Sequence, residues 1–248
     1  MSSTVTPPTL SAPSTEPTTP AIRGISSMAT RQVLADLVAA FAQQGGAAAA
    51  IESVGGVDAA RRVLAGEAFD VVILASDAID KLIAAGCVQA DSKVDLVHSG
   101  VAVAVRAGAP RPDIGSEAAV RAAVQAARSV SYSTGPSGVA LARLFERWGL
   151  ADELQDRLVT PPPGVPVGSL VASGEVALGF QQYSELINLG GIDVLGPLPP
   201  EIQITTTFSA GVCATATPEQ AAAVREMLAF MASPAAAEAK RRQGMDPA

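Results

Sequence analysis

The amino-acid sequence predicts an α/β fold in two lobes, with mostly parallel sheets flanked by helices and two strands crossing between the lobes. Three observations predict it. From Ile22 onward, short apolar runs alternate with segments of helical period, the pattern of parallel strands joined through helices. Runs such as "FDVVIL" (69–74), continuous in apolar residues apart from Asp70, and "VAVAV" (101–105) read as strands covered on both faces. Two long extended segments, "VHSGVAVAV" and "TTTFSAGVCATA", flank a central block of about one hundred residues. If both bridge, that block is an inserted second lobe, and the gap between lobes is where a small ligand binds.

The elements follow in order. Residues 1–20, rich in Ser, Thr and Pro, bury too little apolar surface to offset ordering entropy and are expected to be a disordered tail. Residues 21–98 are assigned to the first lobe, 99–206 to the second, and 207–248 return to the first. "IRGIS" is a short strand, and Val33, Leu34, Leu37, Val38 and Phe41 form the stripe of a helix packed on one side. After "FDVVIL", Ser76 or Asp77 is expected to cap a helix carrying Ile79, Leu82 and Ile83. Ser116 caps a helix with Val120, Ala123 and Val124, and "SVSYS" (129–133) and "VALGF" (176–180) are further strands. Thr217 as cap, Pro218 in the first helical position and the stripe Val224, Met227, Leu228 and Met231 define a last helix.

Composition excludes several functions. The 248 residues are 48% hydrophobic and 17% charged, enough for a buried core in each lobe. A net charge of -7 and a pI near 4.8 repel phosphate, so no nucleic-acid partner is expected. Nor is a run of roughly 18 apolar residues present, so no membrane insertion is expected. Cys87 and Cys213 lie far apart in apolar settings and read as buried small hydrophobes. No metal and no cofactor is expected. The start has neither the basic nor the apolar region of a secretory signal. As written the chain is expected in the cytoplasm as a monomer; with a leader missing from this sequence it would be periplasmic, and only then would it meet a transporter partner.

Four loops share one character: small, hydroxyl or amide residues where a helix begins. They are "SSMAT" (26–30), "SVGGVD" (53–58), "STGPSG" (133–138) and "GFQQYSEL" (179–186). A helix start exposes unpaired N–H groups and about half a positive charge, so an anion gains hydrogen bonds there without a cationic side chain. The candidate ligand-binding residues are Ser26, Ser27, Met28, Arg31, Gly55, Gly56, Thr134, Ser137, Gly138, Gln181, Gln182 and Ser184. Each also has a plainer reading: Ser, Thr and Gly cap ordinary helices, Gly55-Gly56 makes a turn, and the two glutamine amides satisfy buried backbone.

"GVAVAVRAGAPRPDI" (100–114), "VASGEVALGFQQYSEL" (171–186) and "LGPLPPEIQITTTFSAGV" (195–212) carry a resemblance over roughly residues 22–248. The chain resembles the molybdate-binding-protein branch of the type II periplasmic binding proteins, in the subgroup that contains aconitate isomerase. The resemblance implies two α/β lobes closing on a small anion, lined by the four loops. Molybdate binders of this family place hydroxyls in the first two loops and a tyrosine in the last; here Ala29, Gly56 and Gln182 stand there. A carboxylate ligand fits better, since an amide donates to carboxylate oxygen and an arginine grips one. Arg31, Arg61, Arg62 and Arg106 are candidates, although Arg61 and Arg62 suit a solvated helix face.

The first functional expectation is a protein that binds a small organic anion, a di- or tricarboxylate. The second is an isomerase resembling aconitate isomerase, which shifts an allylic proton between trans- and cis-aconitate; the third is a molybdate- or tungstate-binding transporter component. For the proton the sequence offers Glu185, Tyr132 or His98 as catalytic candidates. Glu185 could instead pair with an arginine, Tyr132 could be core or cleft wall, and His98 lies on the proposed hinge.

Overall fold

A computed structural model describes residues 21–162 and 164–248. The tail expected over 1–20 lies outside the described residues. Three strand–helix units come first: β1 (Ile22–Ser27) with α1 (Arg31–Gln43), β2 (Ala49–Val54) with α2 (Gly56–Leu64), and β3 (Val71–Ala75) with α3 (Ser76–Ala84). The long strand β4 (Val94–Arg106) is followed by α4 (Glu117–Ala126), β5 (Val130–Tyr132), α5 (Pro136–Arg147), α6 (Ala151–Leu154) and α7 (Val167–Ser173). Next come β6 (Leu178–Gln182), α8 (Tyr183–Leu186) and β7 (Ile192–Pro197). Strand β8 (Thr205–Val212), α9 (Pro218–Ala232), α10 (Ala237–Arg242) and β9 (Asp246–Pro247) close the chain.

The apolar stripes become the buried faces. Val33, Leu34, Leu37 and Phe41 are the buried residues of α1, and every residue of β3 is buried. Ser116 Oγ accepts from Ala119 N at 3.2 Å, and Thr217 with Gln220 closes a reciprocal capping box on α9. The expected cap of α3 is not formed. Extended Ala75 leads straight into the helix, so Ser76 sits inside the first turn and Ala75 occupies the cap position. Strand β2 escapes the pattern reading because "AAAAIESV" favours helix by composition, whereas pairing along β1 fixes it as a half-buried strand. Strand β6 begins two residues later than "VALGF" and takes in buried Gln181 and Gln182. Cys213 is buried and its thiol pKa is pushed up to about 12, chiefly by burial. Cys87 is only half-buried, contrary to expectation, and its neighbour Val88 bridges Cys213.

β1 runs parallel to β2 and β3, β3 is antiparallel to β8, and β8 is antiparallel to β4 through Gly100. From Val101 onward β4 pairs with β6 and β7 instead, and β5 lies parallel to β6. The apolar clusters divide in the same way. One pair, around Leu37, Ile73 and Met227 and around Val72, Leu74 and Ile79, draws on residues up to 97 and from 208 onward. The others, the largest around Val103, Leu141 and Phe180, draw on 101–204. At the crossing, Gly100 leaves room for the Gln203 side chain, since a Cβ there would meet Gln203 Nε2 at 2.9 Å. Gln203 Oε1 accepts from Val101 N (3.1 Å) and Ile204 N (2.8 Å), tying the two crossing segments together.

Phe145 organises the second core, with ring centroids 5.8 Å from Tyr132, 5.6 Å from Trp148 and 5.7 Å from Phe180. The Trp148 indole donates to Glu117 Oε1 at 2.6 Å, and this bond, with Arg147 beside it, holds the Glu117 carboxyl below the usual carboxylate range. Phe180 is fully buried; Phe180→Ala is expected to lower the unfolding free energy by about 3–5 kcal/mol in denaturant melts. Thr217→Ala, which only opens a helix cap, should cost about 1 kcal/mol in the same measurement.

Candidate functional site

The register of the crossing strand sets the geometry. β3 ends at Ala75 opposite Phe208, which pairs with Val97, whereas β6 ends at Gln182 opposite Val101. The carboxyl ends of the two parallel sets therefore face each other, roughly 13 Å apart along β4 at about 3.3 Å per residue. Helices α1, α2 and α3 leave one edge, and α5 and α8 leave the other. All four loops singled out in the sequence lie on these edges.

None of these five helix starts carries a side-chain cap. Among the described α-helices, side-chain caps occur on α4 and α9, neither of which directly follows a strand of the parallel sets. Gly55 and Gly135 do stand at the cap positions of α2 and α5, but no serine or threonine hydroxyl of these loops caps a first-turn N–H. Their first-turn N–H groups are left to another acceptor. A pocket of about 300 Å³ opens between the starts of α3 (Ala75, Ser76, Asp77) and α5 (Pro136, Ser137, Ala140) over Ile204–Thr207. Its lining contains no lysine or arginine.

Beside it lies a set of buried polar atoms. Ser99 pairs with Thr206, and Val101, two residues on, pairs with Gln182, so the three polar side chains share one face. Gln182 Nε2 donates to Thr206 Oγ1 at 3.0 Å, while Gln182 Oε1, Ser99 Oγ and Ser27 Oγ are buried without a partner. Because the threonine hydroxyl can donate or accept, the amide can turn either end away from it. Gly56 lies against Ser27, a Cβ there standing 3.6 Å from Ser27 Cβ. The two facing edges already touch: Ser184 Oγ donates to Ala29 O at 2.8 Å, and Asn188 Nδ2 donates to Gln243 Oε1 at 2.8 Å.

Other candidates have local occupations. Ser26 Oγ pairs with Ser53 Oγ at 2.8 Å, and Ser137 Oγ with Ser133 Oγ at 3.2 Å. Gly138 must be glycine because a Cβ would collide with Ser133 O. Thr134 and Arg31 are exposed, Met28 and Gly55 are half-buried or open at their helix starts, and the Ala29 methyl packs in the core. Gln181 follows its plainer reading: Oε1 accepts from Gly168 N (2.9 Å) and Nε2 donates to Glu185 Oε1 (2.9 Å). Arg61 pairs with Asp58, and Arg62 bridges Glu52 and Glu67 over the Phe69 ring. Arg106 ends β4 at the opposite edge of the second sheet.

Of the three proton-transfer candidates, His98 Nδ1 lies 3.0 Å from Thr207 Oγ1 on the crossing strand. Tyr132 packs on Phe145, and burial raises its hydroxyl pKa. Glu185 is the most perturbed: burial raises its carboxyl to about 7 against the pull of the Gln181 amide. Sequence reading missed Ser76, Ser99 and Thr205–Thr207. Ser76 had a signal, since "LASDA" places a hydroxyl after a buried strand as the four chosen loops do. Ser99 and the threonines were read as hinge alone.

The profile of the bacterial extracellular solute-binding protein family matches residues 22–246. The chain belongs to that family. This solute-binding protein is 41% identical over 189 residues to an aconitate isomerase of a Pseudomonas species, covering 75% of this chain and 70% of that one. Its fold is that of the Azotobacter vinelandii periplasmic molybdate-binding protein, with TM-score 0.74, 22% identity and coverage of 90% and 98% of the two chains. The sulfate-binding protein of Mycobacterium tuberculosis is similarly close, with TM-score 0.73, 18% identity and coverage of 92% and 86%. The solute-binding protein thus has the two-lobed type II periplasmic-binding fold. No helix among the described residues is long and apolar enough to cross a membrane.

Glu185 yields a test by linkage. Its carboxyl binds a proton more tightly in the folded chain, about 7 against an ordinary 4.5. The stability it contributes is therefore fully present below 4.5 and is lost as pH rises through about 7. Glu185→Gln should remove this dependence, so that the melting temperature of the natural protein falls relative to the variant across that window.

Proposed function

We propose that the cleft binds a small organic di- or tricarboxylate, with 21–98 and 207–248 forming one lobe and 99–206 the other. The convergence of five uncapped helix starts on one gap, beside a pocket without cationic lining, carries this reading. Backbone N–H groups at the starts of α2, α3 and α5 hold carboxylate oxygens, with the Ser27, Ser76 and Ser137 hydroxyls beside them. Gln182 and Thr206 read a further polar group of the ligand. Compared with a tetrahedral oxyanion, a carboxylate suits the Gln182 amide better, and the similar aconitate isomerase supports a carboxylate class. Membership of an extracellular family favours a life outside the cytoplasm, where the loaded protein would meet a membrane transporter.

A second reading, aconitate isomerisation, draws on Glu185 and on the same relative. A carboxyl near 7 both takes and returns a proton at neutral pH. It would remove the proton from one allylic carbon and deliver it to the other, moving the double bond while the N–H donors hold the charge on the carboxylate. Glu185 neighbours Ser184, the residue that bridges the lobes.

A thermal-shift panel of di- and tricarboxylates, molybdate, tungstate and sulfate tests the first reading. A ligand at about one hundred times its dissociation constant should stabilise the protein by about 2.7 kcal/mol. A largest shift with molybdate or tungstate would overturn the carboxylate assignment. Proton spectra of trans-aconitate incubated with the protein separate the readings: growth of the cis isomer means catalysis, and saturable heat without turnover means a receptor. Ser137→Glu places a competing charge at the start of α5 and should abolish carboxylate binding measured by calorimetry, leaving the far-ultraviolet spectrum unchanged.

A further inference from the structure

A second cavity lies away from the cleft. It measures about 680 Å³ and sits where β4 ends at Arg106 and β6 begins at Leu178. Gln182, at the cleft, is the other end of β6, so strand length alone puts roughly 13 Å between the two places. Val105, Val176 and Leu178, all buried, form its floor. One wall is the face of α4 bearing Ala123 and Ala126, and the other carries Pro110 and Pro112. Methyl-sized side chains on the helix leave the space open.

Two guanidiniums stand among these apolar walls. Arg128 Nη2 donates to Gly174 O at 3.0 Å. Arg106 Nη1 lies 3.2 Å from where a Cβ on Gly174 would stand, so both side chains converge on the left-handed turn that ends α7. Neither makes an ion pair among the described residues. Of the acids nearby, Asp193 Oδ2 accepts from Gly108 N at 3.2 Å and lies 3.9 Å from Arg111, and exposed Glu175 forms no ion pair among the described residues, its Oε1 accepting from the Ser173 hydroxyl at 2.9 Å. In a chain of net charge -7, two exposed arginines without an ion-pair partner at the mouth of an apolar cavity form a local site for a negative group.

We propose that the second lobe carries a separate ligand site for an amphiphilic monoanion, its apolar body on the Val105–Val176–Leu178 floor and its carboxylate head between Arg106 and Arg128. The walls supply apolar area and the arginines orientation, the division of labour usual in small-molecule pockets. The site is independent of what occupies the cleft.

Calorimetric titration of the full chain with octanoate, with and without excess trans-aconitate, tests this. The expected result is one saturable site in both conditions. Octanamide, equally apolar but uncharged, should bind about tenfold more weakly or worse, as should octanoate to the Arg106→Gln/Arg128→Gln double variant. Ala126→Trp, at an exposed helix position whose indole fills the cavity, should abolish octanoate binding with an unchanged far-ultraviolet spectrum. Absence of saturable heat at millimolar octanoate, equal affinity for octanamide, full binding by Ala126→Trp, or displacement by trans-aconitate would each overturn the proposal. Failure of trans-aconitate to bind would count against the cleft assignment and leave this result standing.

Discussion

One strand has to satisfy two sheets. β4 bonds to β8 up to Gly100 and to β6 and β7 from Val101 onward, so its continuous backbone fixes how the halves of the molecule meet. Since β3 and β6 end on either side of that crossover, the carboxyl edges of both parallel sets must look at each other. The cleft is a product of register before any side chain is considered. The side chains then tune it: Gln203 locks the crossing, and Ser99, Thr206 and Gln182 place polar atoms where a plain core would hold methyls.

Much of the fold was legible because its periodicities are strong. The stripe of α1, the wholly buried β3 and the capped starts of α4 and α9 follow from the spacing of apolar residues and from Ser116, Thr217 and Pro218. Strand β2 was not, because an alanine run takes its conformation from its neighbour rather than from itself. The boundary of β6 slipped for a related reason. Two glutamines read as a loop, yet both are buried strand residues, one bonded to Gly168 N and the other to Thr206.

The candidate site was legible as loops and less so as atoms. Sequence alone shows that small polar residues follow strands, but not which of their side chains turn inward. Ala29 stands in the right loop and points its methyl into the core, while Ser76, chosen only as a cap, borders the pocket. Arginines were the least predictable, since a long side chain pairs wherever folding brings an acid. Arg62 found Glu52 and Glu67, whereas Arg106 stands at the far end of β4.

Trp148, packed on Phe145, is the one tryptophan of the chain, and both tyrosines, Tyr132 and Tyr183, also fall within 99–206. Tryptophan emission therefore reports on one half of the molecule. Loss of packing in the cluster around Leu37, Ile73 and Met227 would be silent in tryptophan emission and visible in the backbone signal. Coincident melts by the two probes would mean that the crossing strands weld both halves into a single cooperative unit.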